Sequence, residues 1–166
     1  MAKKYHRAFG VYGIIASNDK LVVIKKNEGP YINRYDLPGG SLEDGESLDK
    51  AIYREIKEET HLQPQKISQL GTISFKYPWH YKRWKYNQHI CVFYRIETWQ
   101  GNLAEQVAQF VGQDSMGAEL LSITSLNEKN ASPLVLKAKA VVEHNFSFEP
   151  TDQAFSEWKV LQTPVF

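Results

Sequence analysis

The chain has a single cysteine, Cys91, among its 166 residues, which excludes an internal disulfide. Set in the apolar run ICVFY, that cysteine reads as a small buried hydrophobe rather than a nucleophile. No apolar run approaches the length of a membrane span. Neither sign of charge dominates: Lys plus Arg number 20 and Asp plus Glu 19, for a formal net charge of +1. The whole-chain balance therefore gives no sign of a polyanion partner, and nucleic acid is not the expected one. The opening MAKKYHRAFG has basic residues with no apolar stretch behind them, so no signal peptide is expected and a cytoplasmic protein is the default. His6, His61, His80, His89 and His144 show no zinc-ligand spacing with Cys91. There is no G-x-S-x-G elbow, no P-loop, no repeat and no low-complexity linker. These absences leave one domain over residues 1–166, long enough to bury a sizeable core.

The most informative stretch that is present is GGSLEDGESLDKAIYREIKEETHL, from Gly39 to Leu62. It reads as a glycine turn, an acidic loop and a helix that Ser47 can cap, beginning near Leu48. At about 100° per residue, with Glu55 at zero, Glu59 falls near +40° and Glu58 near −60°. The apolar residues Leu48, Ala51, Ile52, Ile56 and Leu62 centre on roughly +25°, the same side. An ordinary amphipathic helix puts its charges opposite its apolar stripe. Here the glutamates interleave with the stripe and are expected to point into the protein. Three clustered carboxylates stay ionised there only if a cation joins them, and Mg²⁺ (or Mn²⁺) suits such oxygen ligands. The competing reading is a solvated acidic helix with Arg54 and Lys57 as salt-bridge partners.

Gly40, Glu46 and the run Arg54-Glu55-Ile56-Lys57-Glu58-Glu59 fall at the spacing of the Nudix hydrolase signature, and the stretch from Gly40 to Leu62 resembles that MutT-like family's box throughout. One position departs: His61 stands where the family usually has a glycine near the helix exit, a place that calls for a left-handed conformation. The resemblance implies an α/β fold, an α/β/α sandwich with a mixed β-sheet between helices. It implies metal binding by Glu55, Glu58, Glu59 and the Gly39 carbonyl. It also implies a further glutamate on a later loop or strand as ligand or base, for which Glu119 is the best match. A basic residue facing substrate phosphates is implied near Lys25 or Arg34. Arg54, one helical turn before Glu58, can pair with and orient that carboxylate, and Glu46 can bond backbone or Arg54 as scaffold.

Strands are expected over residues 5–16, 21–26, 67–77 and 88–98, and again from Glu119. A short helix is expected around 103–111 and an amphipathic one over 133–144, started by Ser132 and Pro133. The aromatic tail from Phe146 to Phe166 is expected to pack on the domain. Between two of the strands, KYPWHYKRWKYNQ interleaves aromatic rings with cations. Trp79, Tyr81, Arg83 and Trp84 are candidates there for stacking a base and holding phosphates. A hairpin packed on its own core or on a second copy, in a homodimer, accounts for the same composition.

The expected activity is metal-dependent hydrolysis of the pyrophosphate bond in a nucleoside diphosphate linked to a moiety X, such as a nucleotide sugar, an ADP-ribose-like compound or a nucleoside triphosphate. Arg54, Glu55, Glu58 and Glu119 are the catalytic candidates. Two alternatives stay open: a catalytically silent nucleotide sensor, and an RNA 5′-pyrophosphohydrolase.

Overall fold

The computed structural model describes residues 2–166. β1 (Tyr5–Ile14) leads through β2 (Ala16–Ser17) into β3 (Lys20–Lys26), the turn between them carried by Asn18 at φ 54°. Asparagine is one of the few residues that adopts that left-handed conformation at small cost. β4 (Tyr35–Asp36) and β5 (Gly39–Gly40) are two-residue strands before α1 (Leu48–Thr60). β6 (Gln63–Tyr81) and β7 (Trp84–Gln100) form one long hairpin, followed by β8 (Ser115–Ser122), α2 (Pro133–Glu143) and β9 (Gln153–Ala154).

The strands make two sheets. One runs β5-β1-β7-β6-β9, with β1 parallel to β7 and β6 antiparallel to it. In the other, β3 pairs with β8 along one edge and with β2 and β4 along the other. Period-2 alternation sorts the strand side chains onto two faces. Tyr12, Leu21, Val23, Phe75, Cys91 and Phe93 pack with Leu134, Val135, Ala138 and Val141 of α2. Val11, Val22, Ile24, Val92, Tyr94 and Ile96 pack with Ala51, Ile52 and Ile56 of α1. The sheets therefore lie between the helices, an α/β/α sandwich.

The helix ends obey local chemistry. Ser47 Oγ accepts from Lys50 N–H (3.3 Å), and His61 closes α1 at φ 62° with its N–H on the Lys57 carbonyl. Histidine thus takes the conformation that glycine would have supplied. Ser132 caps α2, with Pro133 in its first turn, where a missing N–H costs nothing.

Two expectations are corrected. The strands expected over 67–77 and 88–98 run on through the aromatic stretch: the pairing extends to Tyr81↔Trp84, and the turn is Lys82-Arg83 with Lys82 at φ 52°. Residues 103–111 form no helix. Gln109 turns its amide onto the carbonyls of Val107 and Ser115, and Ala104 N–H bonds Thr60 O, which leaves an irregular segment laid along the body. The tail does pack on the domain, with Trp158 edge-on to Tyr31 (5.6 Å) and Phe148 against Phe93. Among the described residues no helix is long and apolar enough to cross a membrane.

Candidate active site

The glycine strand and α1 meet at the carboxylates. Gly39, at φ 147°, donates its N–H to Glu59 Oε2 (2.8 Å), and a Cβ there would come within 2.1 Å of the Val11 carbonyl. A Cβ on Gly40 would sit 2.9 Å from Glu55 Oε1. Any side chain at either position would displace β5 or a glutamate, so glycine is required by close approach.

The three glutamates are graded in depth. Glu59 is 1% exposed, while the side chains of Glu55 and Glu58 are 13% and 41% exposed. Glu59 Oε1 is buried with no hydrogen-bond partner. Burial, then Asp114, pushes the Glu59 carboxyl well above its usual range, against the pull of Lys26 and the Gly39 N–H. Burial also raises Glu55 to about 7, against the hydrogen bond from Arg54. A buried carboxylate with an orphaned oxygen is costly unless a cation or proton meets it. The donor set of Glu55, Glu58 and Glu59 fits a hard divalent cation, although among the described residues no three acidic, His or Cys side chains converge into a ready-made cage.

Arg54 binds this group together. Its Nε and Nη2 grip Glu46 Oε1 and Oε2 (2.8 and 2.9 Å). Its Nη1 reaches Glu55 (2.8 Å) and Glu58 (3.3 Å), and Nη2 also donates to the Ser41 carbonyl (3.0 Å). Those bonds hold the Glu46 carboxyl down to about 2. Lysine cannot reproduce a planar fork spread over three carboxylates. Arg54→Lys is expected to lower turnover about 10- to 100-fold, with a smaller loss of Mg²⁺ affinity, in steady-state assays across a Mg²⁺ titration. Equal losses in both would make Arg54 a determinant of metal affinity rather than of position.

Beside the carboxylates opens a cleft of about 400 Å³, lined by Tyr12, Lys26, Tyr31, Asp36, Trp79, Tyr81, His89 and Asp114. Trp79 and Tyr81 stack with ring centroids 5.3 Å apart, so two of the four aromatic-stretch candidates do wall it. Arg83 and Trp84 do not: they sit at the hairpin tip, the guanidinium 4.9 Å over the indole.

Three other sequence candidates lie elsewhere. Lys25 donates to the Glu105 carbonyl (2.7 Å), and its neighbour Lys26 enters the cleft instead, ion-paired with Asp114. A register shift between Ile24 and Lys26 breaks the simple alternation there. Arg34 is 5% exposed and committed to the carbonyls of Glu128 (2.8 Å) and Lys159 (3.1 Å), with Trp158 stacked on it. It is a structural clamp, not a phosphate contact. Glu119 follows Ala118, which packs on the α1 side, so its own side chain takes the opposite face. There it accepts from Tyr35 Oη (3.2 Å) and lies 3.9 Å from Lys25. The acid that acts on both Glu55 and Glu59 is Asp114, which the sequence hid in a polar connection just before β8.

The cleft floor is a buried polar network that the sequence did not disclose. Burial drives His89 down to about 3, so its imidazole is neutral, with one donor and one acceptor nitrogen. His6 Nδ1 donates to Asn87 Oδ1 (2.9 Å), and Asn87 Nδ2 donates to Tyr77 Oη (2.8 Å). Tyr77 donates to Tyr31 Oη (2.9 Å), which leaves Tyr31 to donate to His89 Nδ1 (3.1 Å). His89 Nε2–H then donates to Tyr12 Oη (2.7 Å). The chain of bonds ends on Tyr12, whose own hydrogen remains for a ligand.

Comparison with known proteins places this geometry in a family. The NUDIX domain model matches residues 4–143, and the chain belongs to that family. It is 45% identical over 76 residues to an ADP-ribose pyrophosphatase of Methanocaldococcus jannaschii, a match covering 43% of this chain and 45% of that one. The chain thus spans less than half the length of that relative. To the 8-oxo-dGTP diphosphatase of Escherichia coli it is 26% identical over 133 residues, 79% of this chain and 90% of the other. The fold is shared with a MutT NUDIX hydrolase from Burkholderia pseudomallei, with TM-score 0.64, 17% identity, and 81% of this chain and 97% of that one covered. It is shared too with the NUDIX domain of Shewanella oneidensis NrtR complexed with ADP ribose, with TM-score 0.60, 15% identity, and 87% and 91% covered.

Proposed function

We propose that the chain, as one functional unit over residues 1–166, hydrolyses the pyrophosphate bond of a nucleoside diphosphate linked to a moiety X, with Mg²⁺ or Mn²⁺ held by Glu55, Glu58, Glu59 and the Gly39 carbonyl. The observation that carries this is the orphaned, buried Oε1 of Glu59, a carboxylate whose other oxygen is held by the Gly39 N–H. When bound, such a cation supplies charge neutralisation of the diphosphate and activation of water. The protein's own residues do the rest. Arg54 holds Glu55 and Glu58 in place, Lys26 offers a cation to phosphate oxygens, and Trp79 and Tyr81 offer flat faces to a base. Tyr12 donates one hydrogen bond from a floor that cannot reorganise. The activities of those relatives, an ADP-ribose pyrophosphatase and an 8-oxo-dGTP diphosphatase, support this class of substrate.

The test is phosphate or monophosphate release from ADP-ribose, nucleotide sugars, dinucleoside polyphosphates, nucleoside triphosphates and 8-oxo-dGTP, in each metal. Turnover that needs metal and fails in Glu58→Gln/Glu59→Gln supports the reading. Tight binding of one compound with no turnover anywhere replaces it with a ligand sensor. On the best substrate, Trp79→Ala is expected to raise KM about tenfold with little change in kcat, the loss of one stacked ring. An unchanged KM would take the base away from that wall.

A further inference from the structure

The near-neutral net charge conceals a separation of charge. The α1 end gathers Glu43, Asp44, Glu46, Glu55, Glu58 and Glu59, and the opposite excess lies where β1 begins and the β6–β7 hairpin ends. Two grooves meet there. One of about 640 Å³ is lined by Lys3, Lys4, Arg83, Trp84, Lys85 and Tyr86. The other, of about 340 Å³, shares Lys3 and Tyr86 and adds Tyr5 and Lys76. No Asp or Glu lines either groove. Among the described residues none of these cations, nor Lys82 at the tip, takes part in an ion pair.

The cations stand over rings. Lys3 lies 4.9 Å from the Tyr86 centroid, Lys82 5.2 Å from Tyr81, and Tyr5 packs on Tyr86 at 5.4 Å. Together with the Arg83–Trp84 pair, they make a surface that alternates positive charge with flat apolar faces. Its natural occupant alternates negative charge with flat bases. The surface also adjoins the cleft. Tyr5 and His6 are consecutive on β1 and take opposite faces, His6 lining the cleft and Tyr5 the groove. Tyr77 lines both.

We infer that this end of the sheet binds a single strand of nucleic acid, independently of what the cleft holds. The strand's phosphates lie along Lys3, Lys4, Arg83 and Lys85, and its bases stack on Trp84 and Tyr86.

The experiment uses the full chain with EDTA and a fluorescent 5′-hydroxyl oligonucleotide of about 12 residues, RNA and DNA in separate arms, read by anisotropy. Between about 50 and 200 mM salt the affinity is expected to fall about 100-fold, the slope for some five neutralised phosphates on a single strand. Lys3→Gln/Lys4→Gln/Lys85→Gln is expected to lower the log–log slope by about 2 while mononucleotide hydrolysis stays at the wild-type rate. Trp84→Ala is expected to weaken binding about tenfold at every salt concentration. Absent or salt-insensitive binding overturns the inference. So does equal binding of heparin with no effect of Trp84→Ala, or tighter binding to phosphatidylserine vesicles than to either oligonucleotide. Mononucleotide hydrolysis without strand binding defeats this inference alone; strand binding by a protein that hydrolyses nothing defeats the cleft reading alone.

Discussion

Glu59→Gln is expected to cut pyrophosphate hydrolysis about 10³-fold while leaving the metal-free protein at least as stable as the wild type. The two halves have one cause. Without a cation, Glu59 is a buried acid whose second oxygen meets nothing, and the fold bears that cost. Glutamine keeps an amide oxygen for the Gly39 N–H and carries no charge to desolvate. Relief of about 1 kcal/mol would raise the melting temperature of a chain this size by about 3 °C. Added Mg²⁺ should invert the order. At about 100 times its dissociation constant it stabilises the wild type by about 2.7 kcal/mol and the variant by much less. Thermal melts with and without Mg²⁺, beside turnover, check both halves. A variant that melts lower without metal, or that turns over normally, would remove Glu59 from the metal-binding role.

The second large effect is on acid stability, and it comes from His89. A histidine buried neutral must acquire its proton when the chain unfolds. With a folded value of about 3 against about 6.5 unfolded, the unfolded state binds the extra proton as pH drops below 6.5. The contribution of His89 to stability is therefore constant above 6.5 and is lost as pH falls from 6.5 towards 3, by about 1.4 kcal/mol per unit. His89→Gln cannot titrate. It should be about 1 kcal/mol less stable at pH 7, for a disturbed hydrogen bond, yet lose about 2 kcal/mol less on going to pH 5. Urea midpoints at the two pH values give the comparison, and the groups common to both proteins cancel. Parallel losses would mean that His89 is charged, and that the hydrogen-bond order ending on Tyr12 is wrong.

The parts of this site that were legible in the sequence are those that local chemistry determines. Ser47, the wheel positions of Glu55 and Glu59, the Arg54–Glu46 contact and the His61 exit all depend on neighbours within one helix and its flanking loop. The misplacements share a different physical origin. Lys25 and Lys26 differ by one step in a period of two, and the irregularity between Ile24 and Lys26 decides which of them faces the cleft; Ala118 and Glu119 differ by the same step, and it is Ala118 that turns towards α1. Arg34 looked available because the carbonyls that claim it, from Glu128 and Lys159, are remote in sequence. Asp114 and the Asn87–Tyr77–Tyr31–His89–Tyr12 chain are invisible for the same reason. Each member is an ordinary residue until tertiary contact supplies its partner. The grading of Glu55, Glu58 and Glu59 from buried to open also needed the β5 strand beside them.

The tail gives the molecule a division of labour. Trp158 Nε1 donates to the Pro30 carbonyl (2.8 Å), Asn33 reaches the Leu161 carbonyl (2.8 Å), and Val165 N–H bonds Asn33 O (3.0 Å). These bonds fasten the segment that contributes Gly29, Pro30 and Tyr31 to the cleft, and they come from residues beyond 143, where the family match ends. The α1 glutamates and this wall of the cleft are thus anchored by different stretches of chain, one inside the family match and one beyond it. A change in the tail therefore reaches the cleft wall at Pro30 and Tyr31 without touching the helix that carries the glutamates.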